Sequence, residues 1–110
     1  MTKLKTIFFS LFLMVTANVA MAGAGHSHGP ITQEMAVERA ERVASALVDR
    51  GIIPVTWKNR ELQSVSKVRR NGGQEWQARF DATSEKSKEK SLYLFMSLGG
   101  NFMDANYTGK

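Results

Sequence analysis

The chain has 110 residues and a net charge of +5 at pH 7, from 15 Lys and Arg against 10 Asp and Glu, with two histidines and no cysteine. Without thiols there is no disulfide framework, thiolate metal site, cysteine nucleophile or cysteine for lipid attachment. So small an excess of positive charge bears on solubility more than on a nucleic-acid partner, and the length accommodates one small domain.

In chain order, Lys3 and Lys5 precede an apolar run from Ile7 to Val15 and the small-residue pattern Ala20-Met21-Ala22. A basic start, a short apolar stretch and A-x-A spacing predict a cleaved signal peptide over residues 1–22, the run being too short for a comfortable membrane anchor. Ala22-Gly23-Ala24 offers a second cleavage position, so both Ala22 and Ala24 stand as candidates. Export without cysteine points to a bacterial periplasm, with no stable membrane span once the signal is removed. Residues 23–30 are rich in glycine and have nothing to bury. They are expected to form a flexible tail that carries both histidines, His26 and His28, and ends where Pro30 restricts the backbone.

The remainder, 31–110, reads as a single α+β domain. Thr32 is a suitable N-cap, Glu34 suits the first turn, and Ala36, Ala40, Val43, Ala44, Leu47 and Val48 recur at helical spacing as far as Gly51. Trp57 lies in a connection without a clear pattern. Leu62 to Arg70 reads as a strand, yet Val65 and Val68 fall on opposite faces, which calls for an edge position or a bulge. Asn71-Gly72-Gly73 signals a hairpin, after which Trp76, Ala78 and Phe80 alternate with Gln77, Arg79 and Asp81. Thr83 to Lys90 is a polar loop. Leu92 to Leu98 is apolar on both faces, as in a central strand, and its second face is covered either by the Trp57 connection or by a partner. After Gly99-Gly100-Asn101 the chain returns, placing Met103, Ala105 and Tyr107 on one side. The sum is one N-terminal amphipathic helix packed on an antiparallel sheet of about four strands.

A helix followed by an antiparallel meander in a small exported domain resembles the PepSY layout. His26-Ser27-His28-Gly29-Pro30-Ile31, the strand Leu92-Tyr93-Leu94-Phe95-Met96-Ser97-Leu98 and the closing Ala105-Asn106-Tyr107-Thr108-Gly109 together resemble a family of small uncharacterised periplasmic bacterial proteins. That resemblance covers essentially the whole chain after the signal and implies a compartment and a fold rather than an activity.

Two imidazoles flanking one serine can reach a single borderline ion, so His26 and His28 are candidate ligands for Cu, Zn or Ni, completed by a terminal amine, a backbone amide, a carboxylate such as Glu34 or a second molecule. No organic cofactor is expected. Met35, Met96 and Met103 offer thioethers to Cu(I), but lie on apolar-periodic segments and are read as core fillers. Trp57 and Tyr107 are candidate partner-binding residues, for an envelope protein or peptide. Lys67, Arg69, Arg70 and Arg79 are read as a solvated sheet face rather than an anion site. Catalysis lacks support, since both histidines precede the domain and no phosphate-binding loop follows Asn71-Gly72-Gly73. Two functional expectations follow: a non-enzymatic periplasmic accessory protein that binds or hands on a metal ion, or a PepSY-like peptide- or protease-binding module.

Overall fold

The structure, a computed structural model, describes residues 29–110; the expected signal peptide, His26 and His28 lie outside the described residues. One helix, α1 (Gln33–Asp49), is followed by a short 3-10 turn (Val55–Lys58) and four strands, β1 (Arg60–Arg70), β2 (Gly73–Ala82), β3 (Ser91–Ser97) and β4 (Phe102–Asn106). The strands form one antiparallel meander in the order β1-β2-β3-β4, and the helix packs on one face, giving an α+β fold.

Helix α1 begins as its sequence dictates. The Thr32 hydroxyl accepts a hydrogen bond from the Met35 N–H at 3.1 Å, satisfying one of the free amides of the first turn. Ala36, Ala40 and Ala44 form a stripe at every fourth position and are wholly buried. Their small side chains let the helix backbone approach the sheet and leave the intervening space to Trp76, Phe80, Leu92, Leu94 and Met96. At the far end Gly51, at φ +73°, turns the chain, and the Ile52 N–H returns to the Leu47 carbonyl at 2.9 Å.

The sheet carries two sets of side chains. On the helix side the cross-strand rows are Val65–Ala78–Leu94–Ala105 and Lys67–Trp76–Met96–Phe102. On the other side they are Ser66–Gln77–Phe95–Asp104 and Ser64–Arg79–Tyr93–Asn106. The β1–β2 turn has Asn71 at φ +51° and Gly72 at φ +82°, the left-handed pair that suits a two-residue hairpin. A bulge between Leu62 and Ser64 re-phases the edge strand β1, so that Leu62 and Val65, three residues apart, both face the core, while Val68, an odd number of positions beyond Val65 in regular register, faces the other way.

Two sequence expectations are corrected. A register shift between Phe95 and Met96 places Phe102 and Ala105 against the core, so Met103, expected beside Ala105, is left 55% exposed. Met35, one position off the alanine stripe, is 42% exposed. Of the three methionines read as core, only Met96 fills it.

Candidate functional site

The face of the sheet away from the helix holds the densest set of polar contacts among the described residues. It is built around Phe95, which lies on the central strand β3 and has no solvent exposure although no helix covers it. Arg70, from the end of β1, reaches across β2 and lays its guanidinium 3.7 Å from the Phe95 ring centroid. Nη1 of that group donates to Glu75 Oε1 at 2.9 Å and Nη2 donates to Asp104 Oδ2 at 2.9 Å, so three strands converge on one cation. With side-chain exposures of 13% for Arg70 and 10% for Glu75, this pair is largely removed from water. Gly73 faces Arg70 in the register and has no side chain to obstruct the reach.

Below this cluster, Arg79 donates from Nε to Asp81 Oδ1 at 3.1 Å and from Nη2 to Asp81 Oδ2 at 3.2 Å, and Ser91 Oγ donates to the same Oδ1 at 2.9 Å. The Arg79 hydrogen bonds hold the Asp81 carboxyl below its usual range, and Asp81 in turn raises Arg79. The second apolar face expected of β3 therefore exists, and it is covered by Arg70 together with the segment that follows β4.

The structure separates the residues of the expected basic face. Lys67 lies in the helix-side row, its Nζ 5.4 Å from the Trp76 ring centroid, and Arg69 is exposed. Arg70 and Arg79 are on the opposite face and each is paired with a carboxylate. A solvated face describes Lys67 and Arg69 but not Arg70. That Arg70 anchors the far side of the sheet was missed in the sequence; the signal was Phe95, an aromatic on the outer phase of the most apolar strand, with Asp104 opposite it.

Trp57 and Tyr107 do meet. Their rings stack with centroids 6.3 Å apart and planes 16° apart. Trp57 is 1% exposed and belongs to the core, whereas Tyr107 is 36% exposed, so any contact with a partner at this point would be made by Tyr107. Burial raises the Tyr107 hydroxyl above its ordinary pKa; a hydrogen bond with Trp57 opposes the shift and the charge of Glu89 adds to it. Arg60 ties the Trp57 turn to the helix, donating to Trp57 O at 2.9 Å, Ser45 Oγ at 2.9 Å and Glu41 Oε1 at 3.3 Å.

Two shallow depressions lie beside these features. One, of about 390 Å³, is lined by Val68, Arg70, Gln77 and Gly109 among others; the second, of about 400 Å³, lies between Val48, Asp49, Lys58 and Arg60. Among the described residues no group of three or more His, Cys, Asp or Glu is placed to hold a metal ion, and no helix is long and apolar enough to cross a membrane.

The sequence matches the family of unknown function DUF6488 over residues 1–110, and the chain belongs to that family. No curated protein and no solved structure matches it.

Proposed function

We propose that this DUF6488 protein is an exported, non-enzymatic accessory protein of the periplasm that binds or hands on a Cu, Zn or Ni ion through His26 and His28. The α+β body is the base that presents them. The observation that carries this reading is the anchorage of the chain immediately after the histidine pair. The Ile31 N–H donates to the Leu98 carbonyl at 2.9 Å and the Ile31 side chain is buried in the core, three residues beyond His28. Arg39 reinforces the same corner by donating to the Gly100 carbonyl at 3.0 Å. A loop closed between His28 and a ligand on the body such as Glu34 would span few residues, which keeps the entropy cost of its closure low. Glu34, exposed in the first turn of α1, is a nearby carboxylate in the sequence.

Ligand exchange at two imidazoles requires the neutral rings, so binding should weaken as pH falls through the ordinary histidine range. Calorimetric titration of Cu(II), Zn(II) and Ni(II) into the exported form and into its His26→Ala/His28→Ala variant tests the reading. Binding confined to the unaltered protein supports it, and equal heats from the two end it.

A second reading, a PepSY-like peptide- or protease-binding module, is favoured by the apolar exposure around the Trp57 turn: Ile52, Val55 and Tyr107 are all open to solvent. It requires that deletion of residues 23–29 leave the capture of envelope proteins intact and that Tyr107→Ala abolish it. The reverse pair of outcomes rejects it.

A further inference from the structure

The β1–β2 turn holds the one Asn-Gly pair of the sequence, Asn71-Gly72. Both residues are exposed, and a Cβ at Gly72 would meet nothing within 4 Å, so water reaches the backbone between them. Among the described residues neither the Asn71 side-chain amide nor the Gly72 N–H makes a hydrogen bond. With Arg70 opposite Gly73 and φ of +51° and +82° at the two central residues, the turn is of type I′. In that conformation the Asn71 Cα–Cβ bond and the C–N bond to Gly72 point to opposite sides of the Cα–C bond, which keeps the Gly72 nitrogen away from the side-chain carbonyl carbon. Beside the turn, Arg70 Nη1 donates to Glu75 Oε1 at 2.9 Å and ties the two strands together.

We propose that Asn71 is a site of spontaneous modification, deamidation through a succinimide, and that opening of the β1–β2 hairpin sets its rate. The Gly72 nitrogen gives up its proton and bonds to the Asn71 side-chain carbonyl carbon. The bond from that carbon to the side-chain nitrogen breaks, and the nitrogen leaves as ammonia carrying the proton. Water then opens the ring at either carbonyl to give aspartate or isoaspartate, so the step needs no oxidant or reductant. Glycine after the asparagine puts no Cβ in the way of the ring, and the exposure of the turn admits the water. The closed turn opposes the reaction, because ring closure requires the two Asn71 bonds to come nearly eclipsed. Conversion therefore proceeds in the fraction of time that the hairpin end is open and Asn71 has left its left-handed conformation. Either product places a carboxylate next to Arg70, and isoaspartate also lengthens the two-residue link by one backbone atom. Both changes act on the strand end that carries the guanidinium over Phe95. Since the ammonia is lost, asparagine is not regenerated, and the modified fraction records accumulated opening of the hairpin. The site uses neither histidine nor Trp57, and it is separate from the metal and peptide readings.

The test is a time course of Asn71 conversion at mildly alkaline pH, in the folded chain and in a synthetic peptide of residues 66–79 that has the same neighbours without the sheet. A lysine-specific protease releases residues 68–86 from the chain, and mass spectrometry with chromatographic separation of the aspartate and isoaspartate forms measures the modified fraction. The peptide should convert readily, and the folded chain should convert at least about tenfold more slowly but measurably. Glu75→Ala, four residues from Asn71, removes the tie to Arg70 and should raise the rate in the folded chain at least about threefold while leaving the rate of the matching peptide unchanged. A folded chain that converts as fast as the peptide overturns the control by the hairpin, and so does a folded Glu75→Ala chain with an unaltered rate. A folded chain that shows no conversion while the peptide is consumed overturns the site itself. The comparison of the unaltered chain with its peptide decides the matter even where the Glu75→Ala chain fails to fold.

Discussion

The guanidinium of Arg70 lies 3.7 Å from the ring centroid of Phe95, and the two together close the side of the sheet that the helix leaves open. Their relationship is sensitive to which partner is removed. Arg70→Met keeps much of the cover over Phe95 but strands Glu75, whose side chain is only 10% exposed. Leaving a buried carboxylate unpaired should cost about 3 kcal/mol, whereas the double variant Arg70→Met/Glu75→Gln should recover part of that loss, since the uncompensated charge goes with it. Urea unfolding of the two single variants and the double gives the coupling directly. A double variant as unstable as the sum of the singles would show that packing on Phe95, and not charge pairing, sets the energy.

The helix start gives a smaller and more local effect. Thr32→Ala removes the acceptor for the Met35 N–H and should cost about 1 kcal/mol, while Thr32→Ser should be nearly silent. Loss of stability in the serine variant comparable to that in alanine would mean that the threonine methyl, and not its hydroxyl, is what matters.

Much of this architecture was legible in the sequence because it follows from local rules. The alanine-rich stripe behind Thr32, the Asn71-Gly72 turn and the alternation of Trp76, Ala78 and Phe80 are each set by neighbours in the chain. What was not legible depends on register between distant strands. The Phe95/Met96 shift that ejects Met103 arises from how β4 meets β3, and the convergence of Arg70, Glu75 and Asp104 needs three strands in place at once. Trp57 gave no pattern because it sits on a single 3-10 turn, and its role is fixed by Arg60 and Tyr107 from outside that turn. The pair proposed to bind metal, His26 and His28, lies outside the described residues, so that proposal rests on sequence and on the anchored corner that follows.

At that corner, Gly100 adopts φ +95°, and a Cβ there would meet Arg39 Nη1 at 2.9 Å and Ile31 Cδ1 at 3.0 Å. Gly100→Ala therefore combines a backbone conformation that alanine resists with displacement of the residue that anchors the chain after the histidines. The expected loss is about 1–3 kcal/mol, with the Ile31 amide exchanging faster than in the unaltered protein. Unchanged protection of the Ile31 amide would separate the glycine from the anchor.

The Arg79–Asp81 pair should leave a mark on acid stability. Asp81 titrates below its usual range in the folded state because it is hydrogen-bonded to Arg79, so its contribution is present above the unfolded carboxylate pKa and is lost as pH falls through the lower folded value. Asp81→Asn should be slightly less stable than the unaltered protein at pH 7, the effect being small for so exposed a pair, and the two stability curves should converge in acid once pH has fallen below the lowered folded value. A gap between the curves that persists into strong acid would assign the loss to the Ser91 hydrogen bond or to packing instead.

Tyr107 works in the opposite direction and at the other end of the pH scale. Burial favours its neutral form, so its folded pKa lies above the unfolded value of about 10. A group with a raised folded pKa contributes stability that is complete below the unfolded pKa and is lost as pH rises through the folded one. The unaltered protein should therefore lose stability above pH 10 more steeply than Tyr107→Phe, which keeps the stack on Trp57 but has nothing to ionise. Lysines and Tyr93 are common to both proteins, so the difference between their melting curves isolates this hydroxyl. Parallel decline in the two from pH 9 to 11 would mean that the Tyr107 hydroxyl is as well solvated in the folded chain as in the unfolded one.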